Sequence, residues 1–399
     1  RADLAQARLA VDELGVEKPP GQPARGEGRL TLARGRLTGA EITRLEAGEI
    51  GGRARFTVTR AGRLDRIEVT EARLGPSRLA GSVQLPQARG GAYALSLRGP
   101  VLDLSRRNAA ALGQGSAEER AARGPQLSIE GALDSVVFRP GHALADVRGQ
   151  GMVQPGGVIA RADFTARAGE RGTLRATIVP DGQRRALTLT ADDAGAVLNG
   201  LGVITTMAGG TLSVRGHYED MQPGRPLGGE AEILAFRLRE APAGARVLQA
   251  MTLYGLADLA RGPGLSFDRA VAAFTLTDGA LELRDARAFG ASLGFTAKGR
   301  IDRRNDTIDL EGTIVPAYIL NSLLGYIPLI GRLFSPEQGG GLFAATYRVR
   351  GPLSDPEASV NPLAALTPGF LRGLFGMFES GAQQGGAPQP PVREEPRGG

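Results

Sequence analysis

Apolar and polar residues alternate with a period of two along most of this chain. In residues 53–59 (RARFTVT), Ala54, Phe56 and Val58 share one side, and arginine and threonine take the other. Residues 92–98 bring Tyr93, Leu95 and Leu97 together, and residues 172–179 do the same for Leu174, Ala176 and Ile178. The rhythm returns at 273–277 (Phe274, Leu276), 280–284 (Leu281, Leu283), 307–314 (Ile308, Leu310, Ile314) and 343–350 (Phe343, Ala345, Tyr347, Val349). Successive side chains of a strand point to opposite faces, so each run predicts a strand with one oily and one wet side. Such runs number about sixteen, separated by Gly, Pro and Asp turn signals. Asp278-Gly279, set between two of them, predicts a tight hairpin. The predicted fold is mainly β: an elongated, curled, antiparallel-type sheet, wet on one side only. Phe56, Val58, Tyr93, Leu95, Leu97, Leu174, Ile178, Phe274 and Leu276 are predicted to line its shared apolar interior.

Three segments carry helical spacing instead. Asp192-Asp193 precedes Val197, Leu198, Leu201 and Ile204 and is followed by Gly209-Gly210, which predicts a helix near 194–208. Helices are also expected near 243–260 and 317–334, as short covers packed on the sheet. A further helix over 363–379 begins with Thr367 as N-cap and Pro368 as first helical residue. Phe370, Leu374 and Phe378 stack along it, with Leu371 and Phe375 alongside. Gly369, Gly373 and Gly376 interrupt it, each at a cost of about 1 kcal/mol relative to Ala. That helix therefore needs a partner, which is the sheet, another protein or a membrane interface. The expected organisation is a β-groove segment over 1–191, a second segment over 192–362, the amphipathic helix, and a low-complexity tail over 380–399 predicted to be disordered. Residues 113–124 are polar and lack strand alternation.

Composition narrows the function more than it names it. With 59 Gly and 25 Pro the chain turns often, which suits many short strands. With no Cys there is no disulfide and no thiol nucleophile. A pI near 10.1 suggests nucleic acid, yet the net charge is only +6 and the arginines are scattered rather than gathered. No nucleic-acid partner is expected. Only His142 and His217 are present, and no nucleophile elbow, phosphate-binding loop or zinc-protease pattern occurs. His217-Tyr218-Glu219-Asp220 reads as a surface turn, and Asp192-Asp193 as a helix cap. Gly26-Glu27-Gly28 lacks the third glycine of a dinucleotide site. The expectation is a non-enzyme with no cofactor and no metal. No apolar run of spanning length occurs; 317–334 is broken by Asn321, Ser322, Pro328 and Arg332. No signal peptide opens the sequence, so a membrane anchor is expected upstream of residue 1.

Several phrases together resemble the C-terminal region of AsmA-like proteins, in the YhdP-like branch. They are DLAQARLAVDELGVEKPPG (3–21), DDAGAVLNGLGVITTMAGGTLSVRG (192–216), IDLEGTIVPAYILNSLLGYIPLIGRLF (308–334) and GLFAATYRVRGPLSDPEASVNPLAALTPGFLR (341–372). In the first, Glu17 stands where the family often has an aromatic residue. The resemblance covers residues 1 to about 378 and implies a bridge-like lipid-transfer protein. It implies an inner-membrane anchor, a long curled sheet in the periplasm, and phospholipid moved to the outer membrane. It carries over no catalytic residue. The periodicity is compatible with that: one-sided strands need a cover, and the helices are too few to supply it. An open sheet of such strands would run ~75 Å at ~4.8 Å per strand. A channel spares a sixteen-carbon acyl chain on the order of 12 kcal/mol of exposure to water. The C-terminal helix would then meet the outer membrane or a protein in it. The rival is a closed β scaffold that aids outer-membrane assembly and carries no lipid. A transmembrane barrel fits poorly, because aromatic girdles are missing from a chain with no Trp and 6 Tyr.

Overall fold

The alternating runs become strands of one sheet. In a computed structural model, residues 1–88, 90–106, 124–239, 265–277, 279–290, 293–316, 345–353 and 355–361 are described. They form a single 20-stranded sheet and a separate 2-stranded one. The first strands of the large sheet are β1 (Ala2–Asp3), β4 (Ala24–Ala33), β5 (Arg36–Ala47), β6 (Ile50–Val58), β7 (Leu64–Leu74), β8 (Ser77–Gln84) and β9 (Tyr93–Asp103). The small sheet is the hairpin of β2 (Leu9–Val11) and β3 (Val16–Lys18). The centre holds β10 (Leu127–Arg139), β11 (His142–Gln154), β12 (Val158–Ala168), β13 (Gly172–Asp181), β14 (Arg184–Ala191), β15 (Met207–Tyr218), β16 (Leu227–Leu238) and β17 (Leu265–Leu276). The rest are β18 (Ala280–Phe289), β19 (Leu293–Asp302), β20 (Thr307–Pro316), β21 (Ala345–Pro352) and β22 (Glu357–Asn361).

From β4 onward each strand is registered with the next in chain order. All these pairs are antiparallel except β9 with β10, which run parallel. The expected hairpin at 278–279 closes with Thr277 and Ala280 exchanging backbone hydrogen bonds of 2.9 and 3.4 Å, and Gly279 takes the φ of +91° it needs. The division at 191/192 falls between β14 and β15, which are registered neighbours.

We call the edge where β4 begins the lower edge, and the edge where it ends the upper. Register shifts recur in the sheet, among them Ile42/Leu45 on β5, Val69/Ala72 on β7, Ala145/Arg148 on β11 and Leu283/Ala286 on β18. A bulge bends its strand and moves the side chains beyond it to the other phase. On β16, Ala235 has φ of +52°, and opposite it on β15 Gly209 and Gly210 have +66° and +85°. Below that point the buried residue is Phe236, out of phase with Ile233 above it.

The helix expected over 194–208 is shorter, running Ala194–Gly200, and we name it α1. Asp193 caps it, its carboxylate accepting from the Ala196 amide at 2.9 Å, as the Asp-Asp pair suggested. Its end comes early because Gly202 adopts φ of +66° and its amide turns back to the Asn199 carbonyl at 2.8 Å. Gly209-Gly210, expected as the stop, instead forms the bulge inside β15. The helices expected near 243–260, 317–334 and 363–379, with the tail and residues 113–123 of the polar segment, lie outside the described residues.

Three clusters make the core. The largest gathers Leu144, Ala166, Leu174, Ala191, Val197, Leu212, Phe236 and Phe267 around α1, with Phe236 and Phe267 stacked at 5.1 Å. A second joins Ile314, Ala345 and Val349 on β20 and β21. The third packs Leu14, Val16, Ala24, Ala47 and Ile50 at the lower edge of the first strands. There Lys18 is fully buried, and its ammonium donates to the carbonyls of Leu4, Ala5 and Ala7 at 2.9, 2.6 and 2.7 Å. Three donors meet three acceptors, so the buried charge is fully hydrogen-bonded.

Candidate functional site

Directly opposed residues of neighbouring strands present their side chains on the same face. Tracing partners across the sheet therefore tests whether the oily sides meet. Starting on β4, one row runs Leu30, Ala40, Phe56, Ile67, Val83, Leu95, Ile129, Gly151, Ala162 and Ile178. It continues Leu187, Gly216, Gly229, Phe274, Leu283, Gly299, Leu310, Val349 and Ala358. The row crosses every strand from β4 to β22 without one polar side chain. Immediately beside it runs a second row of partners: Arg29, Glu41, Arg55, Glu68, Ser82, Ser96, Glu130, Gln150, Asp163, Thr177, Thr188, Arg215 and Glu230. One step along the strands changes an apolar sheet face into a charged one.

All nine residues read from the sequence as groove-lining fall on the apolar face. Phe56, Leu95, Ile178 and Phe274 lie in the first row itself. Tyr93 and Leu97 flank Leu95 two residues away on β9, and Leu174 lies below Ile178 on β13. Val58 and Leu276 lie toward the upper edge, where Val58 opposes Leu64 and Leu276 opposes Leu227. Their surroundings differ. Leu174, Ile178 and Phe274 are buried, whereas Phe56, Val58, Tyr93, Leu95 and Leu97 are only half-buried and Leu276 is exposed. Phe370, Leu371, Leu374, Phe375 and Phe378 lie outside the described residues.

Two polar arrangements on this face were not read from the sequence. Arg185 is 9% exposed at the upper end of β14. Its guanidinium clasps the Asp220 carboxylate at 2.6 and 2.9 Å, donates to the Ile159 carbonyl at 2.6 Å, and lies 4.1 Å over the Tyr218 ring. Burial pushes the Tyr218 hydroxyl above its ordinary range, with Arg185 opposing the shift. The signal was present: Arg185 is in phase with Leu187, Leu189 and Ala191, which marks it as inward. At the other end of the sheet, Tyr347 lies over Gly312 and donates to the Thr296 carbonyl at 2.8 Å. A Cβ at Gly312 would sit 2.8 Å from the Tyr347 hydroxyl, so the glycine makes room for the ring. Burial raises that hydroxyl to about 12.

Two concavities open on the charged face instead. One of about 880 Å³ crosses β11 to β16 over Arg148, Thr165, Arg175, Thr190, Ser213 and Glu232. The other, about 660 Å³, crosses β18 to β22 over Lys298, Glu311, Thr313 and Arg348. In the second, Lys298 and Arg348 pair with Glu311 and hold its carboxyl below the usual range. His217 pairs with Asp181 at 3.3 Å on an exposed strand end. Among the described residues no group of histidine and carboxylate side chains is placed to hold a metal ion, and no helix is long and apolar enough to cross a membrane. No family model, curated protein or solved structure matches this chain.

Proposed function

We propose that the apolar face holds the acyl chains of phospholipid, and that the chain is the periplasmic part of a bridge-like carrier between inner and outer membrane. The observation that carries this reading is the unbroken apolar row, whose N-terminal stretch stays half-buried. A closed scaffold has no use for an oily surface left half in water. At ~25 cal/mol per Å² such exposure weakens the fold wherever no ligand covers it. For acyl chains the same surface is a continuous path that needs no chemistry at any step. Curling of the sheet into a groove is supported by α1. The helix touches β11, where Gly200 lies against Ala143 and Leu144, and also β16. Flat strands would separate these two by ~24 Å, against a helix about 10–12 Å wide. An inner-membrane anchor upstream and an outer-membrane contact through residues 363–379 complete the proposal.

A second reading is a scaffold for outer-membrane assembly that carries no lipid, and the dry cluster around α1 favours it. Native mass spectrometry of the chain purified from a Gram-negative envelope separates the two. Photo-crosslinking residues at Leu95 and, as a control, at Leu174 locate the lipid. Co-purified phospholipid with an adduct at position 95 and none at 174 is the expected result. Lipid-free protein that forms no adduct at either position leaves the scaffold.

A further inference from the structure

Across β5 to β9 the apolar face is sealed at the lower edge and open at the upper. The β2–β3 hairpin lies across the lower strand ends. A Cβ at Gly15 would run into the Arg106 carbonyl beyond β9, and one at Gly75, in the β7–β8 turn, would stand 3.1 Å from the Val16 side chain. The cluster around the hairpin reaches from Ala24 on β4 to Leu102 on β9. Burial falls along the strands from there upward. On β5 Ala47 is 0% and Leu37 42% exposed, and on β7 Leu74 is half-buried while Leu64 is exposed. Between the cluster and the upper turns, β6 rises ~20 Å from Gly52 to Val58. That is deeper than the ~15 Å of hydrocarbon in one bilayer leaflet.

The first two upper turns carry charge of one sign. Arg34-Gly35 forms a two-residue turn with φ of +50° and +71°, and Arg36 follows it. The β6–β7 turn holds Arg60 and Arg63, and is closed by the Thr59 amide on the Arg63 carbonyl at 2.7 Å. All four arginines are exposed, and among the described residues none of their guanidiniums meets a carboxylate. No acidic residue occurs in 29–40 or 57–64. Asp65, the next in sequence, is half-buried and accepts from the Gln84 side-chain amide at 3.0 Å. On β14, by contrast, Arg184 pairs with Glu219 and Arg185 with Asp220. The two basic turns stand ~10 Å apart, two strand spacings. Leu37 and Leu64 follow Arg36 and Arg63 directly, so each turn passes from guanidinium to apolar face within one residue. A guanidinium offers a phosphate two parallel donors. We infer that these two turns hold the phosphate of a phospholipid whose acyl chain lies tail-down on the face of β5 to β9. The inference rests on the lipid reading above and adds to it the headgroup chemistry and the orientation.

The probes are palmitoyl lysophosphatidylglycerol and monopalmitoylglycerol, the same acyl chain with and without a phosphate, titrated into the whole chain. The phosphate lipid should bind at least about tenfold more tightly, and added salt should weaken it alone. An Arg34→Gln, Arg36→Gln, Arg60→Gln, Arg63→Gln variant should lose that preference while still binding monopalmitoylglycerol. It should keep its melting temperature, because all four side chains are already in water. A photoreactive group at the end of the acyl chain should label β6 near Gly52 rather than near Val58. Equal binding of the two lipids by the parent, a preference that survives in the variant, or labelling at Val58 alone would overturn the inference and leave the lipid reading standing. A parent that binds neither lipid would overturn both.

Discussion

The strands β4 to β9 and β11 to β16 are built on the same alternating pattern and come to different ends. Around β11 to β16 the apolar face is closed: Leu174 is 2% exposed, and Ala166, Ala191 and Leu212 are buried with it. Across β6 to β9 the equivalent residues Phe56, Val83, Leu95 and Leu97 remain half-buried. The difference is α1, which places Ala194 and Val197 at full burial against the central strands. Near β4 to β9 the only described cover is the β2–β3 hairpin, with its cluster at the lower edge. Among the described residues, one two-turn helix therefore separates a dry core from a face left half-buried.

Charge inserted at one site in each region should break this comparison most sharply. Leu174→Asp should cost about 3–5 kcal/mol, since the carboxylate has no partner among Ala166, Ala191 and Leu212. Leu95→Asp, whose side chain already meets water, should cost about 1 kcal/mol or less. Urea titration of the two variants measures the gap. Equal losses would mean that the N-terminal face is as closed as the centre, and the proposed lipid surface would go with it.

Much of this fold was legible in the sequence, because the strand period and the burial of one face are the same fact. The runs at 53–59, 92–98, 172–179 and 307–314 lie in β6, β9, β13 and β20, and their oily sides share one face. What escaped were the places where a bulge shifts the phase. The run at 273–277 covers only the upper end of β17, and 280–284 stops at the Leu283/Ala286 shift of β18. Arg185 and Lys18 escaped for another reason. The phase of Arg185 was readable, but its partners Asp220 and Ile159 converge through the sheet. The carbonyls of Leu4, Ala5 and Ala7 that receive Lys18 belong to a turn outside any strand, so no spacing announces either set of partners. Half-burial was not legible either: Leu95 and Leu174 have the same pattern around them, and only tertiary packing tells them apart.

A smaller effect tests α1 itself. Val197→Ala should cost about 1.5 kcal/mol, a lost buried side chain partly offset by the better helix former. Val83→Ala in the half-buried row should cost well under that. Chemical denaturation of both reads the difference, and a Val83 loss as large as the Val197 loss would make the two regions alike. Tyr347 asks whether the C-terminal strands belong with the closed centre. Its hydroxyl is raised to about 12 from 10.0. The unfolded chain ionises first, so this contribution is complete below 10.0 and is lost as pH rises toward about 12. Tyr347→Phe should thus melt at a less pH-dependent temperature than the parent across that alkaline window. An identical alkaline profile would place Tyr347 in water.

The smallest expected effect would let pH move the central region toward the state of the N-terminal one. Asp192 stands between β14 and α1, and its carboxylate accepts from both the backbone amide and the hydroxyl of Thr173 on β13. The Thr173 amide, first, and then its hydroxyl hold the carboxyl below its ordinary 3.8. A depressed carboxyl contributes stability above the unfolded value, and that contribution disappears as pH falls through the folded one. The window therefore lies below 3.8. Asp192 is exposed, so water screens the gain and the contribution stays below about 1 kcal/mol. Its location gives it more consequence than its size, because protonation loosens the turn that delivers the chain into the N-cap of α1. Asp192→Asn should lower the melting temperature slightly at about pH 7, and that difference should shrink as the pH falls below 3.8. Amide exchange at Val197, whose amide donates to the Asp193 carbonyl at 3.1 Å, should quicken in the parent over the same acid range. If the parent and the variant keep the same difference down to the lowest pH, the Thr173 contact does not depend on charge and α1 is held by packing alone.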